Sequence, residues 1–293
     1  MTLLMIVKLA TVLSIVLLLF GLALRAKVAD LGYLVREWRL GLGAFVAMFV
    51  CVPVVAFLLA RFLDLQQPVA IALIAMALSP LPPILPGKQL KAGGEASYVT
   101  GLMFGASLLS LVVAPLGVWV AAHLFDVDVS VAPSALVKPL LISVFAPIAL
   151  GLLAAPLLGK SVPRVSEICT KAGTILLLLV VLAFLVLLGP PMWKLVGDGT
   201  LLVFAAVAVV GLVTGTLLGG PNPGDKAALA LAASARHPGV ALAIAVHTMP
   251  DVPLMPAAVV LSLIVSIVLS FPYLRIVGRK QGDGGVAAAA PPS

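Results

Sequence analysis

Arg236 and His237 stand side by side inside an apolar stretch, in the run Ala235-Arg236-His237-Pro238-Gly239. A guanidinium does not lose its proton, and its planar fork matches a carboxylate, sulfonate or phosphate. At the centre of a bilayer an arginine costs about 2.5–3.5 kcal/mol on insertion scales, so one placed there points to a task. Two tasks suit it: facing a water-filled cavity to bind an anionic substrate, or pairing internally with an acid or with carbonyls that a broken helix sets free. His237 is of a type that can carry a proton for coupling, and it also suits a hydrogen-bonded structural role.

A second interruption lies in the first half of the chain, Ser79-Pro80-Leu81-Pro82-Pro83-Ile84-Leu85-Pro86-Gly87-Lys88. Its four prolines remove backbone donors and clash with preceding carbonyls, which forbids a continuous helix. In the other half, Pro238 disfavours helical geometry at His237, and Gly239 adds freedom. Paired interruptions in corresponding halves point to a secondary transporter's binding site. The candidate substrate site is therefore Arg236, His237, Pro238 and Gly239 with Ser79, Pro80, Pro83 and Pro86. Lys88 and Lys91, one turn apart, and Glu95 follow the first break. They make a candidate vestibule for anions, or ordinary lysines at the cytoplasmic ends of helices.

Other chemistry is not expected. The chain has no His-Glu-x-x-His, no Gly-x-Ser-Gly run, no paired aspartates and no Walker loop, so it lacks the groups that activate a nucleophile or hold a catalytic metal. Cys51 and Cys169 carry no metal or redox spacing and read as small apolar residues. No cofactor, metal or nucleic acid is expected.

The elements that position these residues must be helices in lipid. Of 293 residues 62% are hydrophobic and 10% charged, with mean hydropathy +1.26; a water-soluble domain cannot hide that much apolar surface. A spanning helix needs roughly 20 apolar residues, and nine stretches qualify: 3–24, 40–62, 68–87, 97–123, 136–158, 170–190, 199–219, 226–248 and 254–276. Open sheets cannot satisfy their backbone in lipid. The fold expected is an all-α polytopic membrane protein, a single transporter domain over residues 1–281 with a disordered tail at 282–293. The two breaks fall at similar depth, roughly 15–18 Å from their helix starts. That placement suggests an inverted repeat with two crossed discontinuous helices. Gly41 with Gly43, Gly101 with Gly105 and Gly211 with Gly215 are small residues that let helices pack closely.

Basic residues follow an alternation. Thirteen of the 18 lie in one set of alternate loops and three (Arg61, Lys138, Lys194) in the other; Lys8 and Arg236 fall inside apolar segments. By the positive-inside rule the N-terminus is outside and the C-terminus cytoplasmic, in a bacterial-type inner or plasma membrane. The oligomeric state is not readable.

The chain resembles the bile acid:sodium symporter family and, more loosely, the wider group that includes arsenite permeases and auxin carriers. The likeness covers almost the whole chain. It rests on Leu18-Leu19-Phe20-Gly21-Leu22-Ala23-Leu24 before a basic loop, on Gly94-Glu95-Ala96-Ser97, and above all on Ala228–Ala245 around the second break. The resemblance implies two crossed broken helices in a core bundle, a smaller panel bundle, and alternating access between them. It also implies sodium ligands that this chain does not supply. The family's Ser-Asn pair falls on Leu85 and Pro86, its Glu on Ala232 and its Gln on Arg236. The expectation is a carrier for a small organic anion that is not classically sodium-coupled, with a guanidinium standing where a cation would sit. The alternatives are a sodium-dependent symporter of the same fold, an anion channel and a non-transporting membrane sensor.

Overall fold

The computed structural model describes residues 3–126, 137–138, 141–249 and 251–287. Among them every regular element is helical. The order is α1 (Leu3–Ala23), α2 (Val28–Leu31), α3 (Tyr33–Arg36) and α4 (Trp38–Phe45), which runs through a π-helical turn (Val46–Cys51) into α5 (Val52–Phe62). Then come α6 (Gln67–Leu78), α7 (Leu85–Lys91), α8 (Ala96–Leu124), a π-helical turn (Leu141–Phe145) leading into α9 (Ala146–Leu158), and α10 (Val162–Trp193). The chain continues with α11 (Thr200–Leu218), α12 (Pro223–Ser234), α13 (Pro238–Thr248) and α14 (Met255–Ala287).

Among the described residues seven stretches are long and apolar enough to cross a membrane; one of them, Leu141–Trp193, contains both α9 and α10. Large apolar side chains such as Leu157, Leu202 and Leu217 stand exposed on these helices, as they must when the surrounding solvent is hydrocarbon. The protein is thus a polytopic helical integral membrane protein.

Several boundaries differ from expectation. Helix α10 begins at Val162 rather than near 170. Pro163 sits in its first turn, where a missing N–H costs nothing, and Lys171 pairs with Glu167 at 2.6 Å along the polar first turns. A helix can project beyond lipid, so hydropathy alone starts it too late. Helix α14 likewise continues to Ala287, into the stretch expected to be a tail; residues 288–293 lie outside the described residues.

Helix α1 packs against both α9 and α10. Their seams use small residues: Ser166 Oγ donates to the Gly21 carbonyl at 2.6 Å, and a Cβ on Gly151 would come 2.6 Å from Ala23 Cβ. The remaining helices pack around α6, α11, α12 and α14, and α10 touches α14. Helix α11 presents Gly211 and Gly215, and its C-cap Gly219, to α12, so closely that Cβ atoms there would approach Ala233 O, Ala230 Cα and Lys226 Cα to 2.5, 2.4 and 2.5 Å. This stripe lets the α11 and α12 backbones touch and sets the position of the second break.

The basic loops gather at one end of the bundle. There Tyr33 donates to Glu95 at 3.0 Å, the Glu95 N–H donates to Asp225 at 2.9 Å, Ser97 donates to Asp30 at 2.9 Å, and Arg25 donates to the Pro163 carbonyl at 3.0 Å. At the other end Gln66 donates to Asp198 at 3.2 Å. The alternation of charge along the chain is therefore an asymmetry in space.

Candidate functional site

Helix α6 stops at Leu78 because three of the next five residues are proline. Ser79 turns to extended backbone (φ −83°, ψ 156°), and its hydroxyl donates to the Met76 carbonyl at 2.9 Å. The chain is non-helical through Ile84, and α7 starts at Leu85. Pro86 lies in the first turn of α7 rather than in the break, since a proline is well tolerated there. This corrects the expectation that all four prolines lie within the crossing.

Helix α12 starts at Pro223 and ends at Ser234; its N-cap Asn222 accepts from the Gly224 N–H at 2.9 Å through its side chain. Ala235, Arg236 and His237 are non-helical. His237 then caps α13: its Nδ1 accepts from the N–H groups of Gly239 at 3.2 Å and Val240 at 3.4 Å, and Pro238 occupies the first turn. A nitrogen that accepts two N–H bonds carries no hydrogen. The proton of a neutral ring therefore sits on Nε2, which is buried without a partner among the described residues. In this state the histidine is a structural cap.

The two breaks meet. The main-chain N–H of His237 donates to the Pro80 carbonyl at 2.8 Å. One residue away, Arg236 Nη1 donates to the Ser79 carbonyl at 3.1 Å and Nη2 donates to the Met48 carbonyl. The guanidinium carbon lies 5.7 Å from the Phe49 ring centroid. Arg236 and His237 are each only 3% exposed. The two backbone bonds join three separate stretches: the π turn, the end of α6 and the end of α12.

Each accepting carbonyl is free for a definite reason. Ser79 caps the C-terminus of α6, where the last carbonyls lack intrahelical donors and the helix dipole is negative. Met48 lies in the π-helical turn, where its donor would be the residue five positions on. That residue is Pro53, which has no N–H. A cation is the partner both ends call for. Two charge-assisted bonds at about 1.5–3 kcal/mol each, with up to ~2 kcal/mol from the helix end, are comparable to the several kcal/mol that burying an ion costs.

In this structure Arg236 is bonded to the freed carbonyls of Ser79 and Met48. Two cavities among the described residues are lined by none of Arg236, His237, Ser79 and Pro80. One, of about 260 Å³, lies between α6, α8 and α13 near Gln67, Ile74, Val118, Phe125 and Thr248. The other, of about 280 Å³, lies at the basic end between α7 and α14, lined by Lys88, Lys91, Ser270 and Phe271 among others. Glu95 does not line it; it is exposed and accepts from Tyr33. The expected trio of Lys88, Lys91 and Glu95 is thus divided, because Glu95, just before α8, turns its carboxylate to Tyr33 on α3.

Sequence reasoning missed Met48, Phe49 and Gln89. Gln89, fully buried, donates to the Ala228 carbonyl at 2.7 Å and ties α7 to α12. For Met48 a signal existed: Pro53 inside an apolar span marks a carbonyl without a donor. For Gln89 a lone buried amide on the short α7 gave none.

Among the described residues no cluster of His, Cys, Asp or Glu could hold a metal ion. Cys51 and Cys169 are free and half-buried.

Broken helices that meet inside a lipid-embedded bundle define the architecture of a membrane transporter. The chain belongs to the sodium bile acid symporter family, whose sequence profile matches residues 11–190. Membership places it among transporters of the bile acid or organic anion type. The match takes in the first break and the π turn; the second break lies beyond it. No curated protein matches the chain.

Proposed function

We propose that this protein is a secondary carrier for a small organic anion, working by alternating access without classical sodium coupling. In this reading it crosses the membrane nine times. Helices α9 and α10 count separately, α6 with α7 makes one broken crossing, and α12 with α13 makes the other. The two halves form an inverted repeat within a single domain, residues 1–281. Helices α1, α9 and α10 are the panel, and the rest are the core that rocks against it. The basic end is cytoplasmic, so the N-terminus is outside, in a bacterial-type inner or plasma membrane. The protein is not an enzyme and needs no cofactor.

The observation that carries this reading is the seat of Arg236. A fixed cation on the Ser79 and Met48 carbonyls does locally what a bound sodium ion would do: it neutralises the negative end of α6 and holds the crossing together. Sodium needs oxygen ligands, and the aligned positions Leu85, Pro86 and Ala232 offer no side-chain oxygen. A guanidinium that never leaves makes the crossing independent of external sodium. The anion is then met by the positive field of the crossing, from Arg236 and the α13 N-terminus at Pro238 and Gly239, with the His237 ring beside them, when the core moves. One observation favours a second reading, a sodium-dependent symporter: the matching family is named for sodium symport.

Purified protein in liposomes separates them. Carboxylates and sulfonates are first screened for a rise in melting temperature, since a ligand of the folded state stabilises it. Uptake of a stabilising anion is then measured with sodium or with choline outside. Saturable uptake equal in both supports the proposal. Uptake that collapses in choline assigns the symporter, non-saturable flux a channel, and no flux of any anion a sensor.

A further inference from the structure

The pocket at the basic end has a second character. Its polar rim is Lys88 and Lys91 on α7, and its wall on α14 is Ile267, Ser270, Phe271 and Leu274. Lys88 Nζ lies 5.9 Å from the Phe271 ring centroid. Among the described residues neither lysine is in an ion pair; the pair found there is Lys171 with Glu167. Ser270 is buried, and its hydroxyl is turned to the Ser266 carbonyl at 2.7 Å. The pocket therefore offers two uncompensated ammonium groups above an apolar wall. Phe271 in this wall is itself exposed, and so are the large apolar residues Leu90 on α7 and Ile276 on α14, the same two helices. They stand where hydrocarbon, not water, must cover them.

The geometry points to a binding site for the phosphate headgroup of an anionic phospholipid, with Lys88 and Lys91 holding the phosphate and an acyl chain lying along Phe271 and Leu274. Basic pockets between transmembrane helices at the membrane surface hold anionic headgroups through charge, at about 1 kcal/mol per lysine. A water-soluble anion would use the same lysines but would leave the exposed apolar wall without an occupant. The site joins α7 to α14, so a bound lipid would brace the half-helix that follows the first break. This inference stands apart from the carrier reading: the lipid site can be present in a protein that moves no anion.

The test is native mass spectrometry of the detergent-purified full chain, titrated with phosphatidylglycerol or with phosphatidylcholine of the same acyl chains. Phosphatidylglycerol binds at least 10-fold more tightly if the site exists. In the double variant Lys88→Gln with Lys91→Gln its affinity falls roughly 30-fold, and Lys88→Arg with Lys91→Arg keeps it. Lys160→Gln with Arg164→Gln, on the same face but outside the pocket, changes it less than 2-fold. Should the double Gln variant fail to fold, Phe271→Glu places a negative charge at the exposed mouth and weakens phosphatidylglycerol instead. Equal binding of the two lipids, or a pocket variant that binds like the parent, overturns the proposal. Displacement of phosphatidylglycerol by inorganic phosphate or methanesulfonate at equal concentration also overturns it and makes the pocket a vestibule for soluble anions.

Discussion

The main-chain N–H of His237 donates to the carbonyl of Pro80 at 2.8 Å. This bond ties the second broken helix to the first at the point where each has run out of its own partners. Pro80 cannot donate, and its carbonyl precedes a run with Pro82 and Pro83 that offers few donors. His237 is a cap whose own N–H has no intrahelical acceptor. Arg236 then neutralises the adjacent end of α6, so the crossing is closed by one neutral and two charge-assisted bonds.

Replacing Arg236 tests that closure. Arg236→Ala leaves the Ser79 and Met48 carbonyls buried without donors. Each costs about 1–3 kcal/mol, offset in part because a buried charge is removed. A net loss of roughly 2 kcal/mol is expected, read as a lower melting temperature in detergent. Arg236→Lys keeps the charge but is a single point donor, and should fall between alanine and the parent. An alanine variant as stable as the parent would show that the bridge does not hold the crossing.

His237 separates its two ring nitrogens by substitution. His237→Asn supplies a side-chain oxygen for the N–H groups of Gly239 and Val240 and should retain nearly full stability. His237→Ala removes the cap and should cost about 1 kcal/mol. If transport is lost in the asparagine variant while stability holds, the Nε2 donor has a role beyond capping. If asparagine destabilises as much as alanine, the capping assignment is wrong.

The glycine stripe on α11 predicts a steep steric response. A methyl group at Gly211 would sit 2.5 Å from Ala233 O and one at Gly215 2.4 Å from Ala230 Cα, both backbone atoms that cannot step aside. Gly211→Ala and Gly215→Ala should each cost about 1–3 kcal/mol or more by forcing α11 from α12. Gly189→Ala, with nothing within 4 Å of the added carbon, is the matched control. Equal melting temperatures for all three would refute the seam.

Tyr33, on the short α3 at the basic end, predicts a titration. Its phenol is pushed up from 10.0 to about 12, first by burial and then by the hydrogen bond and charge of Glu95. A phenol that keeps its proton longer when folded contributes stability that is complete below pH 10 and lost as pH rises toward 12. In Glu95→Gln the value should drop yet stay above 10.0, because burial is the larger cause. Ultraviolet titration of tyrosinate with a Tyr33→Phe reference reads it; an unmoved curve in Glu95→Gln would remove Glu95 from the account.

Much of the architecture was legible because its causes are local. Proline lacks an N–H in any surroundings, so Pro80, Pro82 and Pro83 announce a break without any knowledge of neighbours, and Pro238 after Arg236 announces the other. Composition names lipid as the solvent, and the loop alternation of Lys and Arg is visible before any packing is known. Helix ends were less legible. Val162 begins α10 in polar sequence and α14 passes Gly282, since hydropathy reports where lipid lies and not where hydrogen bonding stops.

The amino-acid sequence alone determined that two apolar spans break and that a permanent cation sits at one break, because a missing backbone donor and a side chain that keeps its charge are properties of single residues. Only the tertiary structure decided what that cation holds. The Met48 carbonyl lies 188 residues away along the chain, and it reaches Arg236 because a π turn ending against Pro53 is packed beside the end of α6. Partner choice inside a close-packed bundle depends on the joint placement of several helices. The same placement turned Glu95 toward Tyr33 and left Lys88 and Lys91 together over an apolar wall.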